Sequence, residues 1–280
     1  MHALPEAYIG TAGWAIPKTA ADGFPGDGTH LQRFARTLTG AEINSSFYRP
    51  HRPSTYAKWA ASVPYGFRFA VKIPKEITHV RRLGELGTIE EILENFLAEA
   101  GALGDRLGPL LVQLPPSLAF VPAVAERFFT ALRSRVAGPV VCEPRHASWF
   151  TASVGPRSAK MGTRGATKVT GPQAMLAAFE VAQVAADPAL STAAARPGGW
   201  GGLAYYRLHG SPTIYRSPYS PQYLDALART LAGHLAAGTP VWCIFDNTAE
   251  GAAAADALGL LARLNMARPM PALAAQPPSL

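Results

Sequence analysis

The chain contains eight short apolar segments, and a charged or amide side chain stands at or near the end of most of them. The segments span 8–13, 41–47, 67–73, 110–114, 140–143, 182–186, 203–209 and 241–246. Strands of a parallel sheet are buried on both faces and read as continuous apolar runs, so polar groups at their ends are unusual. In a barrel of alternating strands and helices, the carboxyl ends of the strands meet at one mouth, which holds the active site. The pattern therefore predicts the location of an active site but not the reaction that takes place there.

Segments with helical periodicity lie between the apolar runs. Apolar residues recur at helical spacing over 89–100 and 121–132, and further helical stretches cover 173–180, 223–237 and 249–264. Strands separated by helices indicate a parallel sheet, and eight such units in 280 residues indicate a closed barrel. An open doubly wound sheet is the alternative, but no glycine-rich nucleotide fingerprint follows the first segment. We therefore predict an α/β fold consisting of a single TIM-type (β/α)8 barrel over residues 1–268.

One stretch interrupts this regularity. Residues 151–172, after the fifth segment, show no periodicity, are rich in glycine and carry Arg157, Lys160, Arg164 and Lys168 without an acid. We interpret them as an irregular, basic insertion that forms a loop or a disordered segment. Residues 269–280 are rich in proline and alanine and are predicted to form a flexible C-terminal tail.

The formal net charge is +7, and the basic insertion supplies a large part of it. A basic balance is typical of proteins that bind nucleic acid, but the excess outside the insertion is ordinary for a domain of this size. Cys142 and Cys243 lie inside apolar segments without a C-x-x-C spacing, which favours buried thiols over a disulfide or a metal site. The first residues lack the features of a signal peptide, and no apolar run reaches the roughly 20 residues of a membrane span. We expect a cytoplasmic protein that makes no membrane contact.

Seven motifs follow one another along the chain. They are GTAGW at 10–14, EINSSFYR at 42–49, FAVKIPKEITH at 69–79, LVQLPPS at 111–117, CEPRHASWF at 142–150, YYRLHG at 205–210 and FDNTAEGAAAADA at 245–257. Together they resemble the domain of unknown function 72 (YecE-like) family. The resemblance implies a TIM-type barrel but carries over neither an activity nor a substrate. The chain departs from the family pattern twice, because the basic insertion replaces a helix after R-H-x-S-W and Asp246 stands where asparagine is common.

Residues two apart along a strand point the same way, and this alternation selects the side chains that face the mouth. The selected set is Glu42, Asn44, Lys72, Gln113, Glu143, Arg145, Arg207 and His209. We predict Glu143 or His209 as general acid or base, with Lys72 and Glu42 as further catalytic groups. The predicted substrate-binding residues include guanidinium groups suited to a carboxylate or phosphate and aromatic rings that wall the pocket. This second set comprises Asn44, Tyr48, Gln113, Arg145, Trp149, Arg207, Trp14 and His79.

These residues leave four interpretations open. The first is an enzyme that acts by acid–base chemistry, as an isomerase or hydrolase rather than a redox enzyme, on a small polar or anionic metabolite, with no cofactor predicted. In the second, a divalent metal ion serves an isomerase or an endonuclease-like phosphodiesterase and is bound by Glu42, Glu143, Asp187, His209 and Asp246. In the third, the acids and bases only neutralise one another and plug the barrel. In the fourth, the basic segment 157–168 binds nucleic acid or a nucleotide without catalysis.

Overall fold

The computed structural model describes residues 6–151 and 171–267, which form nine strands and seven α-helices. The strands are β1 Ala7–Thr11, β2 Gly40–Ile43, β3 Arg68–Lys72, β4 Leu107–Gln113, β5 Val140–Glu143, β6 Val181–Asp187, β7 Gly198–Gly199, β8 Ala204–Leu208 and β9 Val241–Phe245. The helices are α1 His30–Thr37, α2 Pro53–Ala61, α3 Glu90–Gly101, α4 Pro122–Arg133, α5 Pro172–Ala178, α6 Pro221–Ala236 and α7 Ala252–Ala267. No helix among these is both long enough and apolar enough to cross a membrane. The predicted tail at 269–280 and nearly all of the predicted insertion lie outside the described residues.

Eight of the strands form a parallel sheet in the order β1-β9-β8-β6-β5-β4-β3-β2. The sheet closes where β1 meets β2, because Ala12 pairs with Glu42 and the backbone N–H of Gly13 donates to the Glu42 carbonyl over 2.8 Å. A Cβ atom at Gly10 would lie 1.7 Å from the Gly40 carbonyl oxygen, so only glycine permits this approach of β1 to β2. The TIM-type barrel predicted from the sequence is confirmed.

The connection between β6 and β8 differs from the predicted alternation of strands and helices. In place of a helix, the described residues form a turn and the short strand β7, which pairs antiparallel with β6. The Gln183 amide holds this connection, since its Nε2 atom donates to the carbonyl oxygens of Ala193 and Arg196 over 3.0 Å and 2.9 Å. The buried amide of Gln183, whose donors are both hydrogen-bonded, holds this connection against the sheet, as the packing of a helix does between the other strands.

Aromatic rings fill the barrel below the mouth. The ring of Trp242 stacks on Tyr8 with centroids 4.6 Å apart and on Tyr205 at 6.0 Å. Gly108 makes room for this stack, because a Cβ atom there would lie 2.6 Å from Cζ2 of Trp242. Residues of the opposite phase, such as Phe69 and Val71, belong to the larger core between the strands and the helices. The polar side chains one layer above the aromatic stack therefore form the mouth of the barrel.

Candidate functional site

The guanidinium group of Arg207 lies at the centre of a buried cluster of charges. Its Nη2 atom is 2.7 Å from Oε1 of Glu42 and 3.0 Å from Oδ2 of Asp246. Its Nε atom donates to Oε2 of Glu42 over 3.0 Å, and Nη1 is 3.2 Å from Oε2 of Glu143. All four side chains are buried. They meet because each stands on the inward phase of its strand, near the carboxyl end of β2, β5, β8 or β9.

The cations around these carboxylates control their ionisation. Burial alone would raise the pKa of Glu143, but the charges of Arg207, His209 and Arg145 outweigh burial and hold that pKa well below its usual value. The pKa of Asp246 is also lowered, because Arg207 and a hydrogen bond from His209 overcome the effect of its burial. Both carboxylates are therefore ionised at neutral pH.

His209 lies between two of these carboxylates and beside a second arginine. Its Nδ1 atom is 3.0 Å from Oδ2 of Asp246, and its Nε2 atom is 2.9 Å from Oε1 of Glu143. Nη2 of Arg145 lies 2.9 Å from the same Nε2 atom and 2.7 Å from Oε1 of Glu143. Neutral His209 can donate through Nδ1 to Asp246 and accept from Arg145 through Nε2, whereas the protonated ring can donate to both carboxylates. The ring thus contacts Asp246 through Nδ1 and both Glu143 and Arg145 through Nε2.

Two cationic groups of the mouth have hydrogen-bond donors to spare. The Nζ atom of Lys72 lies 4.0 Å from the centroid of the Phe47 ring and forms no ion pair within 4.0 Å with the described residues. Burial, followed by the charge of Arg207, lowers the pKa of Lys72 to about 8 against the opposing effect of Glu42, Glu143 and Asp246. Arg145 uses Nε and Nη2 on Glu143 and His209, while its Nη1 atom donates to none of the described residues.

The side chain of His79 shares this positive region. His79 follows β3 in a single π-helical turn, Glu76–Val80. The centroid of its ring lies 5.0 Å from that of the Phe47 ring, which also contacts Lys72. The Nδ1 atom of His79 is 2.9 Å from Oγ1 of Thr78. Burial, together with the charges of Lys72, Lys75 and Arg145, lowers the pKa of His79 to about 4. His79 is therefore neutral at physiological pH and is surrounded by cations.

The charges of the cluster cancel. Three carboxylates, on Glu42, Glu143 and Asp246, are matched by Arg207, Arg145 and Lys72 when His209 is neutral. The match is uneven in space, because Arg207 contacts all three carboxylates while Lys72 contacts none of them within ion-pair distance. The carboxylates are thereby held together deep in the mouth, Arg145 pairs with Glu143, and the positive charge of Lys72 has no ion-pair partner among the described residues.

This arrangement does not fit the divalent metal ion considered from the sequence. The guanidinium of Arg207 lies among Glu42, Glu143 and Asp246, where a bound cation would need their oxygens. Asp187 stands one residue out of phase with the inward-facing Ala182 and Val184 of β6, so its side chain is directed away from the mouth. Within residues 6–151 and 171–267, no three His, Cys, Asp or Glu side chains are arranged to hold a metal ion.

The remaining predicted binding residues fall into two groups. Gln113 pairs in register with Glu143 and faces inward, and Asn44 follows β2 with its Oδ1 atom buried and without a hydrogen bond among the described residues. Tyr48 and two tryptophans are not brought to the cluster. Tyr48 is 73% exposed, Trp14 packs edge-on against Trp59 and Phe69, and buried Trp149 donates through Nε1 to the Leu118 carbonyl over 3.0 Å.

Sequence reasoning did not select Phe47 or Tyr205, although both contact the cluster. The hydroxyl group of Tyr205 donates to Oε2 of Glu42 over 3.2 Å, and Tyr205 shares the inward phase of Arg207, which is a signal the sequence contains. Phe47 stands in a 3-10 helix after β2, where alternation no longer indicates direction. It also lines a cavity of about 690 Å³ with Tyr48, Pro74 and Phe96. The Phe47 ring, which contacts Nζ of Lys72, is therefore part of the wall between the mouth and this cavity.

Comparison with known proteins places the fold in a family. The family model described as "Protein of unknown function DUF72" matches residues 8–279. A DUF72 family protein of Enterococcus faecalis V583 superposes with a TM-score of 0.72 at 18% identity, over 92% of this chain and 95% of its own. One of Thermotoga maritima MSB8 superposes with a TM-score of 0.70 at 21% identity, over 93% of this chain and 99% of its own. A search of curated proteins found no match. The chain belongs to the DUF72 family of proteins of unknown function.

Proposed function

We propose that the barrel mouth is an enzyme site for a small anionic metabolite, which binds to Lys72 and Arg145. The observation that carries this proposal is the pair of cationic groups with unused donors beside a neutral His79. An anion held by an ammonium and a guanidinium group receives short, charge-assisted hydrogen bonds. Arg207 offsets part of the repulsion from the buried carboxylates, because it lies within 3.2 Å of all three.

Acid–base chemistry follows from the contacts of Arg145. Its Nη2 atom lies 2.9 Å from Nε2 of His209. When an anion draws Arg145 toward itself, Nε2 of His209 keeps Glu143 at 2.9 Å as its remaining neighbour and can take a proton, with Asp246 holding the opposite side of the ring. Glu143 then accepts a hydrogen bond from the protonated ring and stabilises it. The substrate anion and the proton-transfer group are in this way coupled through one arginine.

Thermal unfolding in the presence of inorganic phosphate or malonate tests the anion site. A ligand at 100 times its dissociation constant adds about 2.7 kcal/mol to the free energy of unfolding. For a chain of this size that gain raises the unfolding midpoint by about 5–10 °C. We expect at least one of the two anions to stabilise the wild-type protein in this way, and the gain to disappear in Lys72→Met. Lys18→Met, at an exposed lysine, is the matched control and should respond like the wild type.

Three results would contradict the proposal. If the midpoint rises by the same amount in Lys72→Met and in the wild type, the anion acts through a general salt effect and not through the mouth. If neither anion moves the midpoint, the mouth offers no anion site of useful affinity. A wild-type protein that is indifferent to both anions, together with a Lys72→Met protein that is more stable than the wild type, would support the ion-pair plug instead.

A further inference from the structure

We infer that Lys72 is a nucleophile that forms an imine with the carbonyl group of a small keto acid whose carboxylate binds Arg145. The inference rests on the proposed anion site and names the chemical class of its substrate. It starts from the surroundings of the ammonium group, which are unlike those of a lysine that serves as a counter-ion. Nζ is buried, stands over the face of Phe47 and has no carboxylate of the described residues within ion-pair distance.

These surroundings favour the neutral amine that imine formation requires. Burial penalises the charged form, the cation–π contact with Phe47 offsets only part of that penalty, and no hydrogen-bonded carboxylate of the described residues compensates for the rest. With a pKa of about 8, about a tenth of the Lys72 side chains are neutral at pH 7. An ordinary lysine is neutral in well under about 0.1% of molecules at that pH. Lys18, Lys58 and Lys75 are exposed and provide the comparison within the same chain.

The step balances without a further reactant. The lone pair of neutral Nζ attacks the carbonyl carbon, forming the C–N bond while the C=O electrons move to oxygen. The nitrogen gives up two protons and the oxygen leaves with them as water, so amine and ketone yield imine and water. Neutral His79 lies on the same Phe47 ring as Lys72 and can accept the proton that nitrogen releases. His209 supplies a second proton-transfer group at the mouth.

The keto acid is favoured over a simple aldehyde by the position of Arg145. The Nη1 atom of Arg145 donates to none of the described residues. The charge of Arg145, like that of Lys72, lowers the pKa of His79. A carboxylate bound to Arg145 would be attached to the carbonyl carbon of the substrate or to the carbon next to it. Binding of that carboxylate would therefore bring the carbonyl carbon toward Nζ of Lys72. A ketone without a carboxylate has no such anchor, so pyruvate should react faster than acetone.

Reductive trapping with pyruvate and cyanoborohydride tests the inference on the whole protein. We expect one adduct per chain, heavier by one pyruvate less one oxygen atom, located by peptide mapping at Lys72. Trapping should be on the order of a hundredfold faster than at exposed Lys75, because of the larger neutral fraction. It should rise with pH up to about 8 and then level off, while reaction at Lys75 continues to rise. Propionate, which has the carboxylate but no ketone, should slow the trapping.

Variants separate this inference from the anion site on which it rests. Lys72→Arg keeps the positive charge but cannot form the imine, so it should lose the adduct and retain part of the stabilisation by propionate. The control variant Lys75→Met should keep both the adduct at Lys72 and the stabilisation by propionate. If propionate stabilises the wild type in a Lys72-dependent way and no adduct forms, the covalent inference is overturned while the anion site stands. If adducts appear equally on Lys18 and Lys72, the inference is overturned as well, and if propionate has no effect and no adduct forms, both proposals fall.

Discussion

Removing the side chain that holds the carboxylates together should be among the most destabilising single changes in the barrel. In Arg207→Met the apolar side chain has a similar length, but five contacts of 3.2 Å or less to Glu42, Glu143 and Asp246 are lost. Glu143 and Asp246 keep His209, whereas the Tyr205 hydroxyl is the one side-chain partner that Glu42 keeps among the described residues. Breaking a buried ion pair by removing one partner costs about 3–5 kcal/mol.

The loss should depend on pH in a defined direction. In the wild type the pKa of Glu143 is held below its unfolded value, so its stabilising contribution is present above about pH 4.5 and is lost as the pH falls through the lower folded pKa. Without Arg207 the buried carboxylates prefer their neutral form and their pKa values rise. The difference in stability between wild type and Arg207→Met should therefore be largest at pH 7–8 and shrink toward pH 4.

Thermal and urea unfolding at several pH values measure this effect. At neutral pH the midpoint should fall by about 6–20 °C for a loss of 3–5 kcal/mol in a chain of this size. Arg216→Met is the control, because Arg216 pairs with Glu250 at the surface with both side chains more than half exposed, and such pairs contribute about 0–1 kcal/mol. Adding Glu42→Gln to Arg207→Met should restore part of the loss. An Arg207→Met protein within 1–2 °C of the wild type at pH 7, or one equally destabilised at every pH, would refute the reasoning.

Two further changes test the packing below and beside the mouth. Gly108→Ala places a Cβ atom 2.6 Å from Trp242 and 3.0 Å from the Phe69 carbonyl oxygen, so unfolding free energy should fall by about 1–3 kcal/mol. Gly101→Ala, whose Cβ would meet no atom within 4 Å, should change stability by less than about 0.5 kcal/mol. Trp149→Phe removes the indole donor to Leu118 and should cost about 1–3 kcal/mol, more than Trp59→Phe. Urea denaturation measures all four, and equal losses within either pair would contradict the packing described.

The barrel and its inward-facing residues could be predicted because both follow from periodicity. Eight apolar runs predict eight parallel strands, and alternation separates Lys72 and Ala70 from Phe69 and Val71, as the structure has them. The same rule gives the inward phase of Asp246 from Trp242 and Ile244. Phase also separates Asp187 from the mouth, and the sequence contains this signal, because Asp187 is one residue out of step with Ala182 and Val184.

Other features could not be predicted, because they depend on distances between segments far apart in the chain. The sequence shows arginines and acids at strand ends, but not that one guanidinium of Arg207 contacts three carboxylates while Lys72 contacts none. Trp14 stands in a loop and Trp149 in a single 3-10 turn, where no period indicates direction, and the structure packs both into the outer core. The described residues between β6 and β8 form no helix, and the hydrogen bonds of Gln183 that hold this connection join positions whose contact the sequence does not indicate.

The ionisation of Lys72 is the quantity on which the account of the mouth depends most directly. It can be followed by NMR titration of protein labelled at lysine Nζ, with the signal assigned by its absence in Lys72→Arg. The account predicts a pKa of about 8, which rises on addition of inorganic phosphate because a bound anion favours the charged ammonium. A pKa near the ordinary value of 10.5 that does not respond to phosphate would contradict the claim that Lys72 is an unpaired, anion-binding group.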